Sequence, residues 1–119
     1  MEMTIEQLAD GIKKVLLVGD LDIVGAREID LPFSTLAGST NKLLVDLSQV
    51  DFLSSIGIRT LMLNAQVVKR RGGMIVLLNP QPIVEKILQT SGTDQIIPIF
   101  KEAESALVVL RGSKFSGAS

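Results

Sequence analysis

One strand–turn–helix segment constrains the fold of this chain more than any other feature. It opens with the short apolar run 43–47, which is typical of a strand covered on both faces. After a turn, residues 55–71 carry apolar side chains at helical spacing, which form one stripe that can pack on a sheet. The stripe consists of Ile58, Leu61, Met62, Ala65 and Val68. The segment therefore predicts an α/β domain with 43–47 as its central strand.

Four further strands are predicted around this unit. Asp10-Gly11 tolerates positive φ and joins the first two strands as an antiparallel hairpin. Gly19 to Asp22 is expected to end the second strand. Pro98 allows the last strand only at a sheet edge, because proline cannot donate to the ladder. The four strands cover about 3–8, 12–18, 74–78 and 96–100.

Three further helices are predicted from their first residues, at about 22–36, 82–88 and 102–110. Asp22 can cap the first, Pro82 suits the first turn of the second, and acidic residues open the third. The order predicts a small mixed sheet of about five strands, an antiparallel hairpin followed by parallel strands, flanked by about four helices. We expect one domain over 1–111 and a flexible C-terminal tail at 112–119, which is rich in Gly and Ser.

Missing residue types count against several kinds of chemistry. The 119 residues include no Cys and no His, so the thiolate nucleophile, the commonest general base and the commonest transition-metal ligand are absent. The chain also lacks the phosphate-loop and G-x-S-x-G motifs, and its aspartates show no metal-ligand spacing. We therefore expect no enzyme activity, no catalytic residue, no metal and no cofactor.

Charge and hydropathy indicate the surroundings of the chain. A net charge of −1 and a pI near 5.3 count against a nucleic-acid partner. Lys69-Arg70-Arg71 precedes Gly72-Gly73, where cations complement a helix C-terminus; a phosphate-binding patch is the alternative. The chain shows neither a signal-peptide pattern nor a membrane-length apolar run, so we expect a cytoplasmic protein without membrane insertion.

Ser54 and Ser55 lie at the start of the 55–71 helix, where binding chemistry is expected. Unpaired backbone N–H groups and the positive end of the helix dipole act there on a nearby side chain or anion. Serine is also among the best N-cap residues, so a capping role is the alternative to a functional one.

Residues 46–59 resemble the signature of STAS domains, above all the bacterial anti-sigma factor antagonists. In that family Asp-Leu-x-x-Val-x-Phe-(Leu/Met/Ile) leads into Asp-Ser-(Ser/Thr)-Gly-(Leu/Ile) at the start of the second helix. Two other segments also resemble the family, 19–22 as Gly-x-(Leu/Ile)-Asp and Gly72-Gly73 as the break before a strand, so the likeness covers about 3–110. The matching signature residues are Asp46-Leu47, Val50, Phe52-Leu53, Ser55, Gly57 and Ile58.

This resemblance implies a non-enzymatic anti-sigma factor antagonist with the STAS fold. Such a domain binds an anti-sigma factor that is also a serine kinase, and thereby frees the sigma factor. The kinase phosphorylates a Ser or Thr just before the signature glycine, which weakens binding, and a serine phosphatase reverses the change. A phosphate adds roughly −1.5 to −2 charges, which must be desolvated inside an interface. We expect these two partners and a monomer or weak dimer.

Two residues depart from the family pattern at the acceptor site. Ile56 has no hydroxyl where the acceptor is expected, and Ser54 stands where the family has aspartate. Ser55, which matches a family serine, is therefore our first candidate acceptor and Ser54 the second. The alternative function is a constitutive STAS adaptor or scaffold subunit, stressosome-like or in a lipid-transport complex, that is never phosphorylated.

Partner contacts are expected around the same helix start. The charged candidates are either solvated surface residues or rim residues that tune association. Leu63 and Val67 fall off the main buried stripe and face either the core or the partner. The partner-binding candidates are Asp20, Asp22, Ser54, Ser55, Ile56, Gly57 and Arg59.

Overall fold

Five strands form one mixed sheet in the computed structural model, which describes the backbone of residues 1–118 and the side chains of residues 1–112. The order in the sheet follows the order in the chain, with β1 antiparallel to β2 and the remaining neighbours parallel. β3 is thus central, as its apolar sequence predicts. The strands are β1 (Glu2–Gln7), β2 (Ile12–Leu21), β3 (Lys42–Leu53), β4 (Met74–Leu78) and β5 (Ile99–Phe100).

Four helices connect and cover these strands within residues 1–118. They confirm the predicted mixed sheet flanked by helices. Short 3₁₀ turns at Ala9–Gly11 and Thr93–Gln95 complete the hairpin and the approach to β5. The helices are α1 (Ile23–Ser39), α2 (Ser55–Arg70), α3 (Pro82–Thr90) and α4 (Ala103–Ala118).

The two faces of the sheet carry separate apolar cores. Alternate residues of a strand point to opposite faces, so Leu43, Val45 and Leu47 of β3 join the core under α1, α2 and α3. Leu44 and Val76 instead pack with α4 on the other face. Covering on both faces explains why the middle of β3 is apolar without alternation.

Three strand ends differ from the prediction. The expected end of β2 at Gly19 is wrong, because a register shift between Gly19 and Asp20 lets the strand continue along β3 to Leu21. The same pairing extends β3 beyond residue 47 to Leu53. The last strand is shorter than predicted, because the N–H of Ile97 bonds to the carbonyl of Thr93 in a turn.

Three helices run past their predicted ends, α3 by two residues to Thr90. α1 passes through Pro32 as predicted and ends at Ser39 rather than near residue 36. Burial of Phe33 and Leu36 on its inner face outweighs the roughly 3 kcal/mol that an interior proline costs. α4 extends to Ala118 rather than ending near residue 110. The flexible tail predicted for 112–119 lies, after Gly112, outside the residues whose side chains are described, and it stays a prediction.

Candidate functional site

The start of α2 is held against the end of β2 by one backbone carbonyl. The oxygen of Leu21 accepts the backbone N–H of Ser54 at 3.1 Å and the Ser54 hydroxyl at 3.2 Å. The same Ser54 oxygen accepts the N–H of Gly57 at 3.2 Å, so Ser54 is the N-cap of α2. The capping interpretation is confirmed for Ser54, whose hydroxyl is fully engaged.

Ser55, the first residue of α2, is exposed, unlike the half-buried Ser54. Its hydroxyl makes no hydrogen bond to any residue described in the structure. This oxygen is therefore accessible from solvent without breaking a hydrogen bond of the described chain. The two neighbouring serines thus have different environments.

Glycine at position 57 is required by the close approach of α2 to β2. A Cβ on Gly57 would lie 2.2 Å from the Leu21 oxygen and 2.8 Å from the Leu21 Cγ. The start of α1 repeats this arrangement. The Asp22 carboxylate accepts the N–H of Gly25 at 2.9 Å, and a Cβ on Gly25 would lie 2.1 Å from a backbone oxygen. Both helices thus begin with a cap and a glycine three residues later.

An open groove of about 330 Å³ lies between α1 and α2, close to both helix starts. Its apolar side chains are unusually exposed, at 52% for Ile23, 41% for Ile56 and 51% for Leu63. Charged side chains from both helices border them. We call this the α1–α2 surface, lined by Ile23, Ala26, Arg27, Asp30, Ile56, Arg59, Thr60 and Leu63.

A second groove, of about 500 Å³, separates α2 from α3. Ser55 lies on this groove, so it is next to the α1–α2 surface but does not line it. One basic residue, Lys86, contributes to its wall. We call it the α2–α3 groove, lined by Ser55, Ile58, Ile83, Lys86, Ile87, Thr90 and Ser91.

The structure separates six of the seven predicted partner-binding residues into two groups, and Ser55 lines the α2–α3 groove instead. Ile56 and Arg59 line the α1–α2 surface, and Asp20 is exposed at the end of β2. Gly57 is buried, while Ser54 and Asp22 serve as helix caps. These three residues shape the helix starts and offer a partner little contact area.

Several residues of the two grooves were missed by sequence reasoning. The α1 contribution, Ile23 with Arg27 and Asp30, depends on how α1 packs beside α2. Ile23 directly follows the cap and falls outside the buried stripe of α1, which is the one sequence signal for it. The sequence allows Leu63 and Val67 to face either the core or the partner. In the structure Leu63 faces outward, whereas Val67 packs against the core.

The basic cluster at the end of α2 joins two helix ends. Arg71 donates from Nη1 to the carbonyl oxygens of Ala37 at 3.2 Å and Thr40 at 3.3 Å, where α1 ends. Lys69 and Arg70 lie exposed in the last turn of α2. Because cations stabilise the negative end of a helix, this geometry agrees with the helix-end interpretation of the cluster.

The described residues contain no group of three or more His, Cys, Asp or Glu side chains placed to hold a metal ion. In the same part of the chain, no helix combines the length and the hydropathy needed to cross a bilayer.

Known proteins resemble this chain in both sequence and fold. The family model described as "STAS domain" matches residues 5–106. The chain belongs to the STAS family. A protein of Bordetella bronchiseptica named anti-sigma factor antagonist BtrV is 26% identical to this STAS chain over 115 residues, covering 93% of it and 96% of BtrV. A Mycobacterium tuberculosis protein named as an anti-anti-sigma factor is 30% identical over 112 residues, covering 87% of this chain and 74% of that protein.

The fold is also that of solved anti-sigma factor antagonists. Unphosphorylated SpoIIAA superimposes on this STAS domain with a TM-score of 0.77 and 25% identity, covering 93% of this chain and 97% of SpoIIAA. The phosphorylated form of SpoIIAA from Bacillus gives a TM-score of 0.69 at 23% identity, covering 91% of this chain and 99% of that one. The predicted STAS fold and family are confirmed.

Proposed function

We propose that this chain is an anti-sigma factor antagonist that binds an anti-sigma factor through the α1–α2 surface. Binding is controlled by reversible phosphorylation of Ser55, which the anti-sigma factor, acting as a serine kinase, adds and a serine phosphatase removes. One observation carries the proposal: an exposed apolar groove and an unbonded serine hydroxyl meet at the same helix start. The names of the relatives support it. The chain acts in the cytoplasm, without nucleic acid or catalysis.

The α1–α2 surface has the composition of a docking site. Ile23, Ile56 and Leu63 are each about half exposed, and each contributes up to about 1–2 kcal/mol when its remaining apolar area is buried. Arg59 and Asp30 border them with charges of opposite sign, which favour one partner and one orientation over others. With no Trp or Tyr in the chain, aliphatic contacts must supply most of the affinity.

Ser55 suits the modification better than Ser54. A phosphate on Ser54 removes the hydroxyl that donates to the Leu21 oxygen and disturbs the cap on Gly57. A phosphate on Ser55 breaks no hydrogen bond of the described chain, and it lies at the positive end of the α2 dipole, where anions are stabilised. The modified chain therefore keeps its fold and changes only its surface.

The added charge explains the loss of binding. Ser55 precedes Ile56 of the α1–α2 surface, so a partner docked there covers or closely approaches the phosphate. Roughly −1.5 to −2 charges must then lose water beside an apolar contact, which is unfavourable without a cation on the partner. The two solved forms of SpoIIAA show that this relative exists in phosphorylated and unphosphorylated states.

Calorimetry with the cognate anti-sigma factor tests the docking surface. Leu63→Ala and Ile56→Ala should each weaken binding by about 5–30-fold, because each removes an aliphatic contact from the centre of the interface. Val108→Ala is the matched control, since Val108 is 60% exposed on α4 at the opposite face of the sheet. Its affinity should stay within about twofold of wild type. Equal effects of the three substitutions would contradict the proposal.

The switch is tested on the modified serine itself. The chain is incubated with the anti-sigma factor and ATP, and the peptide 50–59 is sequenced by mass spectrometry. We expect phosphate on Ser55 in the wild-type chain and none in the Ser55→Ala variant. The Ser54→Ala variant should be fully modified, provided that circular dichroism shows it to be folded. Phosphate that persists in Ser55→Ala identifies another acceptor and refutes the assignment.

A constitutive STAS adaptor is the second candidate function, and Ile56 is the observation that favours it. This exposed aliphatic side chain stands where the resemblance expects the acceptor hydroxyl. An adaptor would keep the α1–α2 surface permanently available. Peptide 50–59 from native cells that stays unmodified across growth conditions, while the chain still binds its partner, would establish this function instead.

A further inference from the structure

The α2–α3 groove brings Ser55 together with a cation that the sequence did not single out. Ser55 lies on the α2 side and Lys86 on the α3 side. Both side chains are exposed, and Lys86 makes no ion pair within 4 Å among the described residues. The groove therefore holds an acceptor hydroxyl and an uncommitted ammonium group on opposite walls.

We propose that Lys86 receives the phosphate of phosphorylated Ser55, forming an ion pair across the α2–α3 groove. This rests on the proposed function, because it takes Ser55 as the modified residue. Lys86 is a positioning residue for the phosphate. It holds the added charge against α3 and so fixes where the phosphate stands relative to the neighbouring α1–α2 surface.

The walls of the groove favour such a pair. Ile58 and Ile87 are half-buried there, and Ile83 adds a further aliphatic side chain. Both charged groups stay exposed to water, so the apolar walls favour the pair mainly because they place no competing carboxylate in the groove. Ile83, Lys86 and Ile87 stand three and four residues apart on α3, which places the ammonium and the apolar contacts on the same helix face.

The other charged groups around Ser55 are less suited to bind the phosphate. Arg59 lies one turn further along α2 and close to Ser55 on that helix, but it lines the α1–α2 surface and not the α2–α3 groove. Among the nearby carboxylates, Asp51 accepts from Gln81 Nε2 at 3.3 Å and Asp22 caps α1. Glu85 is half-buried on α3. These carboxylates oppose the phosphate, and among the described residues Lys86 is the cation that lines the α2–α3 groove together with Ser55.

The test installs phosphoserine in place of Ser55 during translation, so that no kinase is needed, and follows the phosphate by phosphorus NMR as the pH is raised. A neighbouring ammonium favours the dianion, so the second phosphate pKa should fall by about half a unit to one unit from its usual value of about 6. Lys86→Gln should return it to that value, and Lys86→Arg should keep it low.

Two matched variants complete the experiment. Lys69→Gln removes an exposed lysine at the far end of α2 and should leave the phosphate pKa unchanged. Arg59→Gln should move it less than Lys86→Gln does. A titration curve that Lys86→Gln leaves in place, or that Arg59→Gln shifts more, overturns the ion pair. Because the phosphate is installed without a kinase, the result of the NMR titration does not depend on whether cells modify Ser55. The peptide analysis decides that question separately.

Discussion

Substitution of the glycine at the start of α2 tests how closely this helix is fixed to the sheet. Gly57→Ala places a Cβ 2.2 Å from the Leu21 oxygen and 2.9 Å from the Leu53 Cδ1. The oxygen cannot move aside freely, because it also accepts two hydrogen bonds from Ser54. The first turn of α2 must therefore shift away from β2 and lose those bonds.

The magnitude follows from what the shift breaks. Two hydrogen bonds to the Leu21 oxygen and the cap from Ser54 to residue 57 are lost or weakened, each worth about 1 kcal/mol. The better helix propensity of alanine returns up to about 1 kcal/mol. We expect a net loss of about 2 kcal/mol in the free energy of unfolding. For 119 residues this lowers the melting temperature by about 8 °C.

Gly38→Ala is the matched control, because it makes the same chemical change in the neighbouring helix. A Cβ on Gly38 meets no heavy atom within 4 Å, so this variant should gain about 0.5–1 kcal/mol from the helix propensity alone. Urea unfolding followed by far-UV circular dichroism measures both, since the chain has no Trp or Tyr for fluorescence. A Gly57→Ala protein as stable as wild type, or shifted in the same direction as Gly38→Ala, would refute the reasoning.

Three further predictions concern stability, and the same denaturation assay checks them. Ser54→Ala should lose about 1–2 kcal/mol because it removes the cap, whereas Ser55→Ala should stay within about 0.5 kcal/mol of wild type; equal losses would contradict the assigned cap. Thr40→Val should gain about 1 kcal/mol, because the buried Thr40 hydroxyl has no hydrogen-bond partner among the described residues. A loss of stability would show that the hydroxyl does have a partner. Arg71→Met should lose about 1 kcal/mol, because it removes the hydrogen bonds to the two carbonyls at the end of α1. If high salt destabilises the wild type by the same amount, the loss is due to charge and not to these hydrogen bonds.

The local parts of the fold could be predicted from the sequence. The stripe that starts at Ile58 and the apolar run of β3 each encode one element and its buried face, and Asp10-Gly11 encodes the hairpin. Asp10 and Gly11 both adopt positive φ, as a tight turn between antiparallel strands requires. Such signals act within a few residues, so they survive in any tertiary context.

The strand ends could not be predicted, because they depend on pairing between distant segments. Gly19 carries the usual signal for a strand end, yet the register shift beside it keeps β2 paired with β3 as far as Leu21 and Leu53. The glycine adopts a φ of 119°, which a β-bulge accommodates without ending the ladder. The predicted strand end at Gly19 was wrong, because only the pairing with the partner strand decides whether such a glycine ends a strand or bends it.

In the candidate site, too, local features could be predicted from the sequence and features that depend on packing could not. The cap residues Asp22 and Ser54 were recognisable, because capping involves residues three apart in the sequence. The composition of the two grooves was not, since it depends on which faces of α1, α2 and α3 remain open after packing. Lys86 carries no sequence signal of its own, and its proposed role rests on the position of α3 beside Ser55.

The shared construction of the two helix starts indicates how the proposed phosphate on Ser55 would act on this surface. Each helix is held by a capping side chain and by a glycine in close contact with a backbone oxygen, so movement of either start away from the sheet costs hydrogen bonds. A modification of the exposed Ser55 that moved the start of α2 would therefore cost free energy. If Ser55 is modified as we propose, the phosphate would therefore act through its own charge and hydration, at a place set by the groove around it. It follows that the phosphorylated chain should differ from the unmodified one in what it binds far more than in how it folds.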